Sequence, residues 1–123
     1  MAQHNQLGTW GEKIAADLLV AKGYAIAATN WRSGHYEIDI IAQKGTRVVF
    51  VEVKTRESND KDAFRAFDRA KQRRLVYAAF AYMRANPSPL QVQYDFIAVV
   101  GEPHNFTVEH VEDIRIPMFK TYR

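Results

Sequence analysis

Glu37–Lys54 reads EIDIIAQKGTRVVFVEVK, two runs of strand-forming residues separated by Gln43-Lys44-Gly45-Thr46, and the fold turns on how those runs pair. With Lys44-Gly45 as a two-residue hairpin loop, Glu37 falls opposite Glu52 and Asp39 opposite Phe50. Side chains alternate along a strand. One face then carries Ile38, Ile40, Ala42, Val49, Val51 and Val53, and the other carries Glu37, Asp39, Ile41, Val48, Phe50, Glu52 and Lys54. The first face is core throughout, while the second gathers its charges at one end. A one-residue slip would scatter those charges over both faces, which argues for this partition.

Like charges held across a hairpin destabilise it unless a positive group lies between them. Carboxylate oxygens are the ligands Mg²⁺ or Mn²⁺ prefers, and Lys54, two residues beyond Glu52 on the same face, is placed to meet a phosphate. The plainer reading is a solvated sheet face whose charges serve solubility. Ile41, Val48 and Phe50 on the same surface do not suit it.

Asp39 followed by Glu52-Val53-Lys54 on the next strand resembles the PD-(D/E)xK signature of restriction-endonuclease-fold nucleases, with Ile38 where the motif places a loosely kept proline. Together with Gly11-Glu12, Glu37-Ile38-Asp39-Ile40-Ile41, Phe50 to Arg56 and Lys71-Gln72-Arg73-Arg74-Leu75, it makes the chain similar to the YraN family of small bacterial endonuclease-like proteins, from about Leu7 to Val100. His35-Tyr36 ahead of Glu37 departs from the many relatives with a glycine there, and His35 is the histidine nearest these acids in sequence. The resemblance implies an α/β fold, a restriction-endonuclease-like mixed β-sheet flanked by helices. It implies Asp39, Glu52 and the Val53 carbonyl as ligands of Mg²⁺ or Mn²⁺, with Lys54 and Glu12 as catalytic partners. Glu37 would support them, and Lys71 and Gln72 on a later helix would aid phosphate binding.

The 123 residues suffice for one domain with its own core, expected over about residues 7–110. Apolar residues make up 47% and charged residues 25%, a globular and not a disordered balance. The absence of cysteine removes thiol nucleophiles, disulfides and Cys-based zinc sites together. The four histidines (His4, His35, His104, His110) show no ligand-like spacing. No signal-like pattern opens the chain and no apolar run approaches a membrane span, so a cytoplasmic protein with no membrane partner is expected.

Net charge is +3, unevenly placed. Lys54 to Arg74 holds eight bases and four acids, a local excess of +4 that leaves −1 for the remainder. Such clustering beside an acidic pocket suits a polyanion gripped through its backbone. The partner expected with the nuclease resemblance is nucleic acid, DNA ahead of RNA although the charges do not distinguish them, held by Arg32, Arg56, Arg69, Arg73 and Arg74. The four interleaved acids also allow an ordinary charged helix face.

Along the chain, Ile14, Ala15, Leu18, Leu19 and Val20 recur at helical spacing, predicting a helix over Thr9–Lys22 with Glu12 in its first turn and Gly23 at its end. A strand over Tyr24–Ala28 and a turn at Asn30–Gly34 precede the hairpin. A second helix starts between Asp60 and Asp68 and stops at Asn86-Pro87. Strands follow at Gln91–Val100, an apolar central strand with Asp95 in a structural role, and at Asn105–Glu109, an edge. The order is αβββαββ. The expected function is Mg²⁺-dependent hydrolysis of nucleic-acid phosphodiesters, structure-selective or non-specific, with a homodimer as an option for cutting both strands. The alternative is a catalytically silent nucleic-acid-binding module acting with DNA repair, recombination or uptake partners. A purely structural interaction domain ranks last, since it leaves the carboxylates unexplained.

Overall fold

The computed structural model describes residues 2–57 and 63–118, with side chains from residue 9 onward. The elements are α1 (Ala2–Ala21), β1 (Ala25–Ser33), β2 (Tyr36–Lys44), β3 (Arg47–Arg56), a short 3₁₀ turn (Ala63–Ala66), α2 (Arg69–Ala85), β4 (Gln91–Glu102) and β5 (Asn105–Val111). The strands form one mixed sheet in the order β1-β2-β3-β4-β5. All neighbours are antiparallel except β3 and β4, which run parallel from Arg47↔Gln91 to Arg56↔Val100. Parallel neighbours need a long crossover. The 3₁₀ turn and α2 supply it, and they cover one face of the sheet.

The two faces have separate cores. Against α1 lie Ala15, Leu19, Tyr24, Ile40, Ala42, Val49, Val51, Val53, Ile97 and Val99. Against α2 lie Ile38, Ile41, Val48, Phe50, Phe67, Leu75, Ala78, Ala79, Phe96 and Ala98. Buried on both sides, β3 and β4 read as near-continuous apolar runs, as two-sided burial requires. This is the α/β architecture, a mixed sheet flanked by helices of restriction-endonuclease type, expected from the sequence.

Several local expectations are corrected. The hairpin pairs Lys44 with Arg47, Gln43 with Val48, Ala42 with Val49, Ile41 with Phe50 and Ile40 with Val51. Its loop is therefore Gly45-Thr46 and not Lys44-Gly45, and Phe50 faces Ile41 instead of Asp39. Gly45 alone in this turn has positive φ, +59°. A glycine at the first loop position serves a type II′-like turn, whereas a Lys44-Gly45 loop of type I′ would force lysine into that region. The slip is by two residues, so the alternation of faces survives over Ile40–Val53. Ile38 is the exception, lying in the α2-side core with Ile41 instead of beside Ile40. The β2–β3 ladder stops at Ile40↔Val51, and beyond that point β2 is free of the pleat it shared with β3.

At the N-terminus, α1 starts at Ala2, which places Glu12 in the helix interior and not in its first turn. Ala2, Gln3, Gln6 and Leu7 are good helix formers. Gly11 does not break the helix because it fills a packing role: a Cβ there would lie 1.9 Å from Thr55 Oγ1. β1 also runs on to Ser33, so the turn expected at Asn30–Gly34 is confined to Gly34 and His35. The candidate helix start at Asp60 falls outside the described residues, and Asp68 is the N-cap, accepting from the Lys71 N–H at 3.0 Å.

Candidate functional site

The point where β2 leaves β3 is where the acids converge. One step beyond Ile40↔Val51, Asp39 turns its carboxylate toward the strand from which its backbone has parted, and the Val53 N–H donates to Asp39 Oδ2 at 2.8 Å. A side chain here replaces a ladder bond and holds Asp39 beside Glu52. Between these strand ends and α2 lies a cleft of about 210 Å³. Glu37, Asp39 and Glu52 form its acidic side, and Lys54, Lys71 and Arg74 its basic side, with His35 and Leu75 completing the wall. Lys71 and Arg74 reach it because Leu75, Ala78 and Ala79 seat α2 on the sheet, which turns that edge of the helix toward the strand ends.

The acids are held against their preference for charge. Burial pushes the Asp39 carboxyl up to about 6; the Val53 N–H opposes the shift, Glu12 and Glu37 add to it, and Lys54 opposes it. Burial, then the charge of Asp39, pushes Glu52 up to about 8 against the opposing fields of Lys54 and Lys71. Glu52 accepts no hydrogen bond from the described residues. Lys54 is lowered by burial and by the nearby Arg56 and Lys71, while Glu52 and Asp39 pull the other way. A pair of carboxylates destabilised by burial and by each other has the donor set that fits a hard divalent cation, which would relieve both effects.

Glu12 approaches from α1, on the opposite face of the sheet from α2, and does not line the cleft. It is near enough to raise Asp39, and its own carboxyl is raised by burial, with a hydrogen bond from Asn30 opposing and Glu37 adding. Asn30 is a site residue that sequence reasoning misses. Its φ of +52° is uncommon for a residue with a side chain. The readable signal is an asparagine, the non-glycine type most tolerant of that region, inside a strand-like run.

The remaining expected residues are placed as follows. Gln72 does not line the cleft: its amide donates to the Phe67 carbonyl at 2.8 Å, closing the entry to α2. Val53 buries its side chain toward α1 while its backbone serves Asp39. Arg32 lies on edge strand β1, 3.8 Å from Glu37, with both side chains exposed. Arg56 is half-buried at the end of β3. Arg69 and Arg73 are exposed on α2, outside the cleft.

A second polar cluster lies on the α1 face. Asp95, His110 and Glu112 bring ligand-type atoms within 4.8 Å of one another. They are already partnered. Asp95 Oδ1 accepts from Gln93 Nε2 and the Asp113 N–H, both at 2.9 Å, and Oδ2 from Tyr24 Oη at 3.0 Å and His110 Nε2 at 2.8 Å. Lys22 Nζ lies 2.8 Å from His110 Nδ1 and 2.9 Å from Glu112 Oε2. An ammonium can only donate, so Nδ1 accepts and the imidazole proton sits on Nε2. The lone pairs of Asp95 are filled and a cation is already in place. Burial by itself would raise Asp95, but these donors outweigh it and hold the carboxyl below the usual range. The cluster ties the end of α1 and the segment after β5 to β4, the structural role expected for Asp95.

Comparison with known proteins places the chain among relatives. Residues 11–99 match the model of Uncharacterised protein family UPF0102. A UPF0102 protein of Flavobacterium psychrophilum is 46% identical over 114 residues, covering 92% of this chain and 96% of that protein. One of Bacteroides thetaiotaomicron is 42% identical over 118 residues, covering 95% and 98%, and one of Christiangramia forsetii is 35% identical over 114 residues, covering 92% and 96%. The matched stretch carries Glu12, Asn30 and every residue that lines the cleft, and with relatives aligned over nearly their whole length the chain belongs to the UPF0102 family, the YraN family.

Proposed function

We propose that the chain is a divalent-metal-dependent phosphodiesterase acting on nucleic acid. The observation that carries this reading is the convergence of Asp39, Glu52 and Lys54 in one cleft, with both carboxyls raised by burial and mutual repulsion and the ammonium lowered. Asp39, Glu52 and the Val53 carbonyl would hold Mg²⁺ or Mn²⁺, with Glu12 and Glu37 in support. Bound there, the cation supplies Lewis-acid polarisation of the phosphodiester and eases deprotonation of water.

The chain's own residues do the rest. Lys54 lines the same cleft as the acids, and because its pKa is lowered it is more readily found as the neutral amine, the form that can take a proton from an attacking water and, as the ammonium so formed, return it to the leaving oxygen. Lys71 and Arg74, on the opposite wall, meet the phosphate oxygens, which sets the scissile group against the carboxylates. Asn30 favours the charged form of Glu12, the acid that adds to the raised carboxyl of Asp39 from the α1 side.

The test is Mg²⁺- and Mn²⁺-dependent cleavage of single-stranded, duplex and branched DNA and RNA, with Lys54→Ala as control. Cleavage by the wild type, abolished in Lys54→Ala with binding retained, is the expected result. Salt-sensitive binding with no hydrolysis of any substrate in Mn²⁺ would move the assignment to a non-catalytic binding module.

A further inference from the structure

α2 is 17 residues long, RAKQRRLVYAAFAYMRA, and carries five bases and no acid. The acids that interleave with the bases in sequence are absent from the helix: Asp68 caps it, Glu57 follows β3, and Asp60 and Asp62 lie outside the described residues. The face is therefore not one neutralised by pairs one turn apart. At about 100° per residue, Arg69, Phe80, Arg73, Arg84 and Tyr77 fall, in that angular order, within an arc of about 80°, turned away from the buried Leu75 and Ala79. All five are solvent-accessible, and Tyr77 and Phe80 each keep 47% of their surface accessible. Arg74 lies between this stripe and Lys71 around the helix and itself lines the cleft, so the surface is continuous with the acidic site.

Resting on the phosphodiesterase reading, we infer that this stripe is a platform for an unpaired nucleic-acid strand. Arg69, Arg73 and Arg84 follow the backbone, and Tyr77 and Phe80 stack on bases that the strand exposes. Aromatic rings interleaved with basic side chains are the chemistry of single-strand binding, because every base has a π-face and a base stacked between its neighbours in a duplex does not offer it. The two rings meet edge to face with centroids 6.4 Å apart. That is nearly twice the roughly 3.4 Å rise of stacked bases along a strand, a spacing suited to splayed bases. A duplex would set its phosphates against two half-exposed aromatic rings. A second copy of the chain packed on this face would oppose three arginines to three arginines. The substrate class is thus one with an unpaired segment, threaded over α2 into the cleft.

The experiment measures binding of a labelled single strand and of its duplex by anisotropy in EDTA, so that cleavage plays no part. Wild type, Tyr77→Ala/Phe80→Ala and the stacking-competent Tyr77→Phe are compared, with thermal melts confirming the fold. The expected result is tighter binding of the single strand and a loss of roughly tenfold per ring removed. That loss is confined to the single strand, and Tyr77→Phe behaves as wild type. An equal loss on duplex and single strand, or no loss, overturns the platform. So does concentration-dependent dimerisation that the double variant abolishes. A wild type that hydrolyses nucleic acid in Mn²⁺ but lacks a ring-dependent strand preference refutes the platform alone. A wild type that neither binds nor hydrolyses any nucleic acid refutes the phosphodiesterase reading with it.

Discussion

Glu52→Gln tests the strain at the centre of the site. The Glu52 carboxyl is displaced from 4.5 to about 8, first by burial and then by Asp39. At about 1.4 kcal/mol per unit, the ionised form is disfavoured by on the order of 5 kcal/mol. Between roughly pH 4.5 and 8 the folded state holds a proton that the unfolded state has released, so this group lowers stability as pH rises through that window. Below it the effect vanishes. Glutamine fills the space without the charge, so in EDTA the variant should match the wild type near pH 5 and exceed it near pH 9. A difference of about 2 kcal/mol, less than half of the figure above, moves Tm by roughly 8 °C in a domain of this size. Thermal unfolding across that range is the assay. Repeating it with Mn²⁺ at a hundredfold excess over Kd should stabilise the wild type by about 2.7 kcal/mol and the variant much less. Parallel pH curves in EDTA would refute the buried-charge argument, and equal Mn²⁺ shifts in both proteins would refute the metal assignment.

Gly11→Ala should cost about 1–3 kcal/mol in urea unfolding, since the new Cβ would lie 1.9 Å from Thr55 Oγ1; adding Thr55→Ala should recover part of the loss. Asp95→Asn should cost about 3 kcal/mol by removing a buried charge that accepts four hydrogen bonds. Because Asp95 is held below the usual carboxylate range, its contribution is present above about pH 4 and fades as pH falls, so the variant should show a flatter acid limb in pH-dependent unfolding. Its Mn²⁺ stabilisation should remain; disappearance of that response would transfer the metal site to the Asp95 cluster. Glutamine at Arg69, Arg73 and Arg74 together should weaken binding to every sequence and reduce the log–log salt slope by about one unit for each phosphate no longer neutralised, read from titrations at several salt concentrations.

The order of elements, the mixed sheet with a helix on either side and the gathering of Asp39, Glu52 and Lys54 were all legible in the chain. Each follows from a short period: alternation in the strands, helical recurrence of Leu75, Ala78, Ala79 and Tyr82, a cap at Asp68 and a stop at Asn86-Pro87. Face assignment tolerated a two-residue error in the hairpin because alternation has a period of two. The loop itself was decided by the backbone conformation of Gly45, which spacing does not reveal. Three features needed the tertiary structure. Ile38 changes face because β2 separates from β3, leaving Asp39 to take the Val53 N–H. Glu12 reaches the neighbourhood of Asp39 from mid-helix through the close approach of Gly11 to Thr55 and its hydrogen bond with Asn30. The Asp95 cluster joins residues from the turn between α1 and β1, from β4, from β5 and from the segment beyond it, with partners up to 90 positions apart. Periodicity records which way a side chain points within its own element, whereas distances between elements depend on packing of the whole chain, and these juxtapositions were settled there.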